Sequence, residues 1–333
     1  MIKGMRLVVA AIFLLCPSLL VAEEGKISGY MFGDYYYLVS ASGQAIGAVK
    51  GAVAKNNNGF AFRRVYFQYD RKLTDVFDIR VLFEVNDAGF GKNDKMIPFV
   101  KNAYLKYAKS GKSVLMGLPG TPTWSVSEKT WGYRSIEKTI MDLHGMGSAA
   151  DLGVAFVGNL DKGGRVNVHV MAGNGPGQSP EKDNQNKIYA QLSGKVSESL
   201  TLVGYADWEG QPAEKNKLTF AGFIGLQPGK FSGGLEGFLR INKNAAGAND
   251  VQVRGVSLFG SVKTSDRTRA FGRVDFFDPS DQAGNDREYL FIGGLDFVPA
   301  KDIHIMPHLW VQTYQTSGVD KDVVPRMTLN YKF

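Results

Sequence analysis

The sequence predicts an all-β protein, a closed antiparallel transmembrane β-barrel of about 16 strands. Three observations carry that expectation. Apolar and polar residues alternate with period two from Lys26 onward, as in strands whose two faces meet different surroundings. Many of the alternating runs are 10 to 13 residues long, whereas soluble strands have ~5–6 residues and tilted membrane-crossing strands need ~9–11. Tight and long connectors take turns along the chain, as they do in a barrel with turns at one end and loops at the other.

Composition agrees. Among 333 residues there are 40 Gly and 12% aromatics, with 21% charged residues. That balance argues against a disordered chain and against a helical bundle. The formal net charge of +7 comes without any Lys/Arg run, so no nucleic-acid partner is expected.

In chain order, the first element is a signal peptide over residues 1–22. Lys3 and Arg6 form a basic start, Leu7 to Leu15 an apolar stretch, and Ala22 precedes Glu23-Glu24. Cys16-Pro17-Ser18 interrupts the apolar run, which is then shorter than the ~20 residues of a spanning helix. Leu14-Leu15 before Cys16 lacks the small residues of a lipid-attachment site. The barrel is expected over 23–333, a stretch with no cysteine, so disulfides and thiolate metal sites are excluded there. Losing Lys3 and Arg6 lowers the formal charge from +7 to +5.

Sixteen strands follow, at about 26–38, 60–72, 76–86, 99–108, 112–118, 150–159, 165–173 and 187–197, then 200–209, 216–226, 230–241, 251–263, 267–278, 287–298, 302–314 and 323–333. The third is the clearest: Phe77, Ile79, Val81, Phe83 and Val85 alternate with Asp78, Arg80, Glu84 and Asn86. Tight connectors include Ser110-Gly111 and Ser265-Asp266; long ones are 39–59, 87–98, 119–149 and 174–186. Closure satisfies every backbone N–H and C=O inside lipid, and an even strand count leaves both termini on one, periplasmic, side. The last strand places Met327, Leu329, Tyr331 and Phe333 on one face. Its terminal Phe resembles the C-terminal signature by which bacterial outer-membrane proteins are recognised by the barrel-assembly machinery.

Together these features resemble a 16-stranded bacterial outer-membrane porin. Phe62-Arg63-Arg64-Val65-Tyr66-Phe67-Gln68-Tyr69-Asp70, Phe77-Asp78-Ile79-Arg80-Val81-Leu82-Phe83-Glu84 and Gly272-Arg273-Val274-Asp275-Phe276-Phe277-Asp278-Pro279 resemble the phosphate-selective porin group. The resemblance implies that the third outside loop, here 119–149, folds inward as the constriction. It also implies a homotrimer, and Gly204 and Gly222 on outward positions suit close approach of barrels.

The loop carries 127–131 and 136–143 as short helical stretches. Trp124, Trp131, Tyr133, Ile136 and Leu143 make it too apolar for disorder. Its charges cancel, Lys129, Arg134 and Lys138 against Glu128, Glu137 and Asp142. Selectivity is therefore expected from the wall. Arg64, Arg80 and Lys106 fall on the polar faces of three adjacent strands, opposed by Asp78 and Glu84. Charges on the lipid face cost ~2–4 kcal/mol at mid-depth, which sends them inward. Arg240, Arg269, Arg273 and Lys195 are further inward cations, with Glu236 and Asp275 as counter-charges; Arg63 falls on the lipid face, placed to snorkel. The expected pore-lining set is Arg64, Arg80, Lys106, Glu84, Lys129, Arg134, Lys138 and Arg273.

Catalytic motifs are weak. Gly111-Lys112-Ser113 ends like a phosphate-binding loop, but Lys106 stands where its first Gly belongs. His304 and His308 lie four residues apart on one strand, ~13 Å, too far to share a metal. The expected function is passive diffusion of small hydrophilic solutes, with a mild preference for anions such as phosphate. Neither cofactor nor catalysis is expected. Lipid and the assembly machinery are the expected partners. The alternative is a non-conducting barrel, either adhesive, structural or enzymatic.

Overall fold

A computed structural model of the protein describes residues 25–43, 54–86, 95–182, 184–226 and 229–333. The expected signal peptide, 1–22, and most of the second loop lie outside the described residues. The strands are β1 (Lys26–Tyr37), β2 (Asn58–Lys72), β3 (Phe77–Asn86), β4 (Phe99–Lys109), β5 (Lys112–Leu118) and β6 (Gly153–Asn159). They continue as β7 (Val166–Gly173), β8 (Lys187–Lys195), β9 (Leu200–Glu209), β10 (Lys217–Leu226) and β11 (Phe231–Ala246). The last five are β12 (Asn249–Ser265), β13 (Thr268–Asp278), β14 (Glu288–Ala300), β15 (Ile303–Tyr314) and β16 (Asp322–Lys332). Each pairs antiparallel with its sequence neighbours, and β1 pairs with β16 from Tyr30↔Lys332 to Tyr36↔Arg326, so the sheet closes. The expected 16-stranded barrel is the fold.

The period-two pattern works because lipid accepts one face only. Phe67, Phe83, Leu105, Val256, Leu258, Phe291 and Leu309 stand exposed on the outer wall. Strands β11 and β12 run beyond their expected ends, into 242–250, and meet at a turn with Gly247 at φ +68. That polar stretch rises above the apolar band, so it carries no alternation to read.

Two of the β-bulges among the described strands bear on the site. Phe32 is opposite Arg64 and Gly33 is opposite Phe62, leaving Arg63 as the extra residue of β2. Leu82 is opposite Asn102 and Phe83 is opposite Val100, leaving Lys101 as the extra residue of β4. A bulge turns two consecutive side chains to one face. Arg63 is therefore inside the barrel and 4% exposed, which corrects its expected place on the lipid face. Gly33 is needed at its bulge, since a Cβ there would sit 2.8 Å from the Ala61 carbonyl oxygen.

The lumen has two unlike walls. From β2 to β4 the inward residues are mostly charged or polar: Arg64, Gln68, Asp70, Arg80, Glu84, Tyr104 and Lys106. From β10 to β15 many are large and apolar, including Phe223, Phe238, Phe259, Phe271, Ile292 and Trp310, all buried. The expectation of a polar lumen thus holds for one wall. The other wall forms a hydrophobic core with the third loop inside the barrel.

Candidate pore constriction

The third loop folds inward between β5 and β6. It contains α1 (Ser125–Trp131) and α2 (Ile140–Leu143), near the expected helical stretches. Gly132 ends α1 in the left-handed region at φ 73, and its N–H is donated to the Glu128 carbonyl. Trp131, Tyr133, Ile136, Ile140 and Met141 make the loop's buried side. Trp131 packs on Phe259 with ring centroids 5.3 Å apart, and Tyr133 stacks on Phe271 at 4.5 Å.

Irregular backbone at membrane depth must be satisfied by protein or by a water-lined cavity. Three wall arginines do this for the loop. Arg63 Nη1 donates to the carbonyls of Ser135 at 2.6 Å and Ile136 at 3.1 Å, with Asp34 beside it at 3.3 Å. Arg273 donates to the Lys138 carbonyl while paired with Asp275, and Arg240 donates to the carbonyls of Met146 and Gly145. Arg273 was expected at the pore surface; it is 2% exposed and acts as a strut under the loop.

Glu137 ties the loop to the same wall. Trp310 Nε1 donates to its carboxylate at 3.2 Å, and the Lys138 backbone N–H at 3.0 Å. Burial alone would raise its pKa, but Arg63, Arg326, the Lys138 N–H and Arg273 outweigh burial and hold it below its ordinary value. His144, after α2, stacks on Phe277 with ring centroids 3.5 Å apart, and burial lowers it to about 4.

The loop's other side is charged and faces β2–β4. Arg134 bridges Glu128 at 3.1 Å and Asp142 at 3.3 Å, and Lys138 reaches Asp142 at 3.5 Å. Across from it Arg64 donates to Glu84 at 2.7 Å and to the Tyr66 hydroxyl at 3.1 Å, while Lys101 pairs with the same Glu84. Four cations (Arg64, Lys101, Arg134 and Lys138) thus meet three carboxylates (Glu84, Glu128 and Asp142) where the loop faces β2–β4. Burial raises Glu128 above its usual range, with Arg134 pulling the other way. The side chains here are tightly set, Arg64 at 13% and Arg134 at 15% exposure.

The remaining expected residues lie toward the short-turn end. Arg80 pairs with Asp70 at 2.6 Å and Lys106 with Asp78 at 3.6 Å, each cation matched by one carboxylate. Lys129 is exposed on α1 and lines a cavity below the loop. The expected ladder of Arg64, Arg80 and Lys106 therefore shares one wall, but Arg64 alone of the three stands opposite the loop's charges. Sequence reasoning missed Lys101, Arg63 and Arg326 as members of the loop-facing set. Lys101 and Arg63 sit on the bulges, and consecutive Arg63-Arg64 was the one available signal.

No family model and no curated protein matches the chain. Solved structures do. The outer membrane channel DcaP of Acinetobacter baumannii aligns with 93% of this chain and 97% of its own, with TM-score 0.67 and 14% identity. An anion-selective porin from Comamonas acidovorans aligns over 93% of this chain and 99% of its own, at TM-score 0.66 and 11% identity. The outer-membrane protein OmpT of Vibrio cholerae gives 0.65 and 12% over 93% and 97%. At these identities the likeness is one of fold, that of outer-membrane porin barrels.

Proposed function

We propose that this protein is an outer-membrane porin through which small hydrophilic solutes diffuse passively, with a mild preference for anions. The observation that carries the reading is the charge cluster where the third loop faces β2–β4, in which cations outnumber carboxylates by one. In a narrow passage with low-dielectric walls each fixed charge weighs more than in open water. Phosphate and other small anions are the solute class this favours. The anion-selective porin among the fold relatives is consistent with it.

The reading includes export by the N-terminal signal, insertion by the barrel-assembly machinery and no catalysis or cofactor. It also includes a homotrimer. Gly204 and Gly222 are paired on the outer wall with open space above both, which suits close contact of barrels, and one OmpT structure is of a trimer form. Light scattering in mild detergent checks this; a monomer counts against it.

One observation favours a second reading, a non-conducting barrel: an apolar core formed with the third loop occupies the lumen along β10–β15. Single-channel recording in planar bilayers with a salt gradient separates the two. Stepwise conductance with a reversal potential of anion sign supports the porin. Inserted protein that never conducts overturns it.

A further inference from the structure

We propose that a cavity on the short-turn side of the third loop binds a small carboxylate bearing an aromatic ring. The inference deepens the porin reading and rests on it for biological meaning. The cavity measures about 430 Å³ and lies between the end of α1 and the lower parts of β11–β16.

Its anchor is Arg269 of β13. Arg269 lies directly opposite Asp296 of β14, the position from which a cross-strand ion pair would form. The two turn apart. Asp296 holds His304 Nδ1 at 2.9 Å. The Arg269 guanidinium reaches the other way, across β12 to β11, and donates to Ser261 Oγ at 3.0 Å and Ser232 Oγ at 3.2 Å. Among the described residues its hydrogen-bond partners are hydroxyls and none is a carboxylate. A guanidinium fixed by neutral hydroxyls keeps its charge available, and its placement costs a ligand little ordering entropy.

The donors that remain suit one carboxylate. Nε and Nη2 of Arg269 are used by the serines, and the Tyr133 hydroxyl also lies against Arg269 and Ser261, so Nη1 is the donor at which a carboxylate would compete with a neutral phenol. The two serine hydroxyls lie 3.0 Å apart, so one can donate to the other while the second still has its proton to give outward. Nη1 and that O–H form an adjacent donor pair for the two oxygens of one carboxylate. Lys332, which also lines the cavity, adds positive charge.

The rest of the cavity selects for a body. Trp131 and Tyr133 form one wall, held rigid by their packing on Phe259 and Phe271, and Tyr30 and Met306 line it further. An inorganic anion reaches none of that surface. A ring attached to the carboxylate covers it, removing apolar area from water.

Titration calorimetry on the detergent-solubilised barrel tests this, with benzoate as the probe. Benzoate should bind, while benzylammonium, of like shape and opposite charge, should not, and inorganic phosphate should bind more weakly. Arg269→Gln should weaken benzoate by ~10-fold or more, the range for a charge-assisted hydrogen bond. Asp296→Asn, which removes a nearby negative charge, should tighten it. A Ser232→Ala, Ser261→Ala double variant, verified as folded by heat-modifiable gel mobility, should weaken it by freeing the guanidinium. Benzoate affinity unchanged by Arg269→Gln, equal binding of benzylammonium, or phosphate binding as tightly as benzoate would each overturn the proposal. Conductance is read separately on the same preparations. A barrel that binds benzoate but does not conduct refutes the porin reading and leaves this site standing. A conducting barrel that does not bind benzoate refutes the site alone.

Discussion

The wall from β10 to β15 and the wall from β2 to β4 face the same lumen and do opposite work. On the first, many inward residues are as apolar as the outward ones, as in Phe223-Ile224 and Leu258-Phe259, with the loop-holding Arg240 and Arg273 set among them. Lipid takes one face and the third loop takes the other, so that wall is the base of a small protein core. On the second, the inward residues are mostly cations and carboxylates, which the proposed function uses for the solute path. Fixing the loop thus falls mainly to β10–β15, with Arg63 of β2 as the exception, while the proposed selection of solute falls to β2–β4. A change on one wall should alter loop docking, and a change on the other should alter permeation.

The largest expected effect is on the docking wall. Trp131→Ala removes a ring packed on Phe259, and the indole N–H donated to the Glu137 carbonyl at 3.0 Å. Large-to-small aromatic truncations in packed cores cost ~3–5 kcal/mol. The loop should undock while the barrel stays closed. Limited proteolysis should then cut within 119–149, and bilayer currents should become larger and noisier. A variant as protease-resistant and as quiet as the parent would show that this core does not hold the loop.

Next comes the charge that ties the loop down. Glu137→Gln keeps the shape and removes the anion from among Arg63, Arg273 and Arg326, at a cost of ~1–3 kcal/mol for an impaired buried hydrogen-bonded group. The sign with pH follows from the direction of the shift. A carboxyl held below its ordinary 4.5 contributes fully above that value and loses its contribution as pH falls through its own lower pKa. His144, lowered from 6.5 to about 4, weakens docking earlier, since the released loop takes up a proton across that interval and the docked loop does not. Channel noise should therefore rise first between those two values. Glu137→Gln should remove the second, more acidic limb and leave the first. Loss of both limbs in that variant would mean Glu137 is not the group responsible for the acid one.

The difference between the walls also marks what the sequence made legible. Strand count and closure could be read because lipid enforces strict alternation on residues such as Phe77, Ile79, Val81 and Phe83, whereas the inward loop came from the resemblance to porins. Glu84 and Arg64 were placed inward by the same rule, and Arg134 and Lys138 by the inward loop that the porin resemblance implies. The rule fails where the backbone inserts a residue. Nothing in a period-two pattern distinguishes Arg63 outside the barrel from Arg63 on a bulge inside it, and Lys101 has the same ambiguity. Arg273 could be placed inward but not assigned to the loop, because the distinction depends on which side of the lumen the loop covers. That is set by three-dimensional packing of Trp131 and Tyr133.

On the polar wall, Arg64→Ala should change selectivity more than stability. It takes one cation from the four at the gap and leaves three cations against three carboxylates. The reversal potential in a salt gradient should move from anion preference to near zero. Lys101→Ala should do the same, since both cations hold Glu84. An anion preference that survives both substitutions would place the selecting charges elsewhere.

The smallest effect is expected from Arg80 and Lys106, although they share a wall with Arg64. Each is matched by one carboxylate, Asp70 at 2.6 Å and Asp78 at 3.6 Å, and these side chains are 31–40% exposed. Water screens such pairs, and exposed ion pairs contribute only ~0.2–1 kcal/mol. Removing Arg80 leaves Asp70 uncompensated, but in a wider, wetter place where its field falls off within the ~8–10 Å Debye length of physiological salt. Arg80→Ala and Lys106→Ala should therefore move the reversal potential slightly toward cations at low salt, and not measurably at high salt. The Arg64→Ala shift should persist at both, because its neighbours exclude water. Equal shifts for Arg64, Arg80 and Lys106 across salt would mean the whole wall selects as a continuous ladder, and the distinction between gap and mouth would fall.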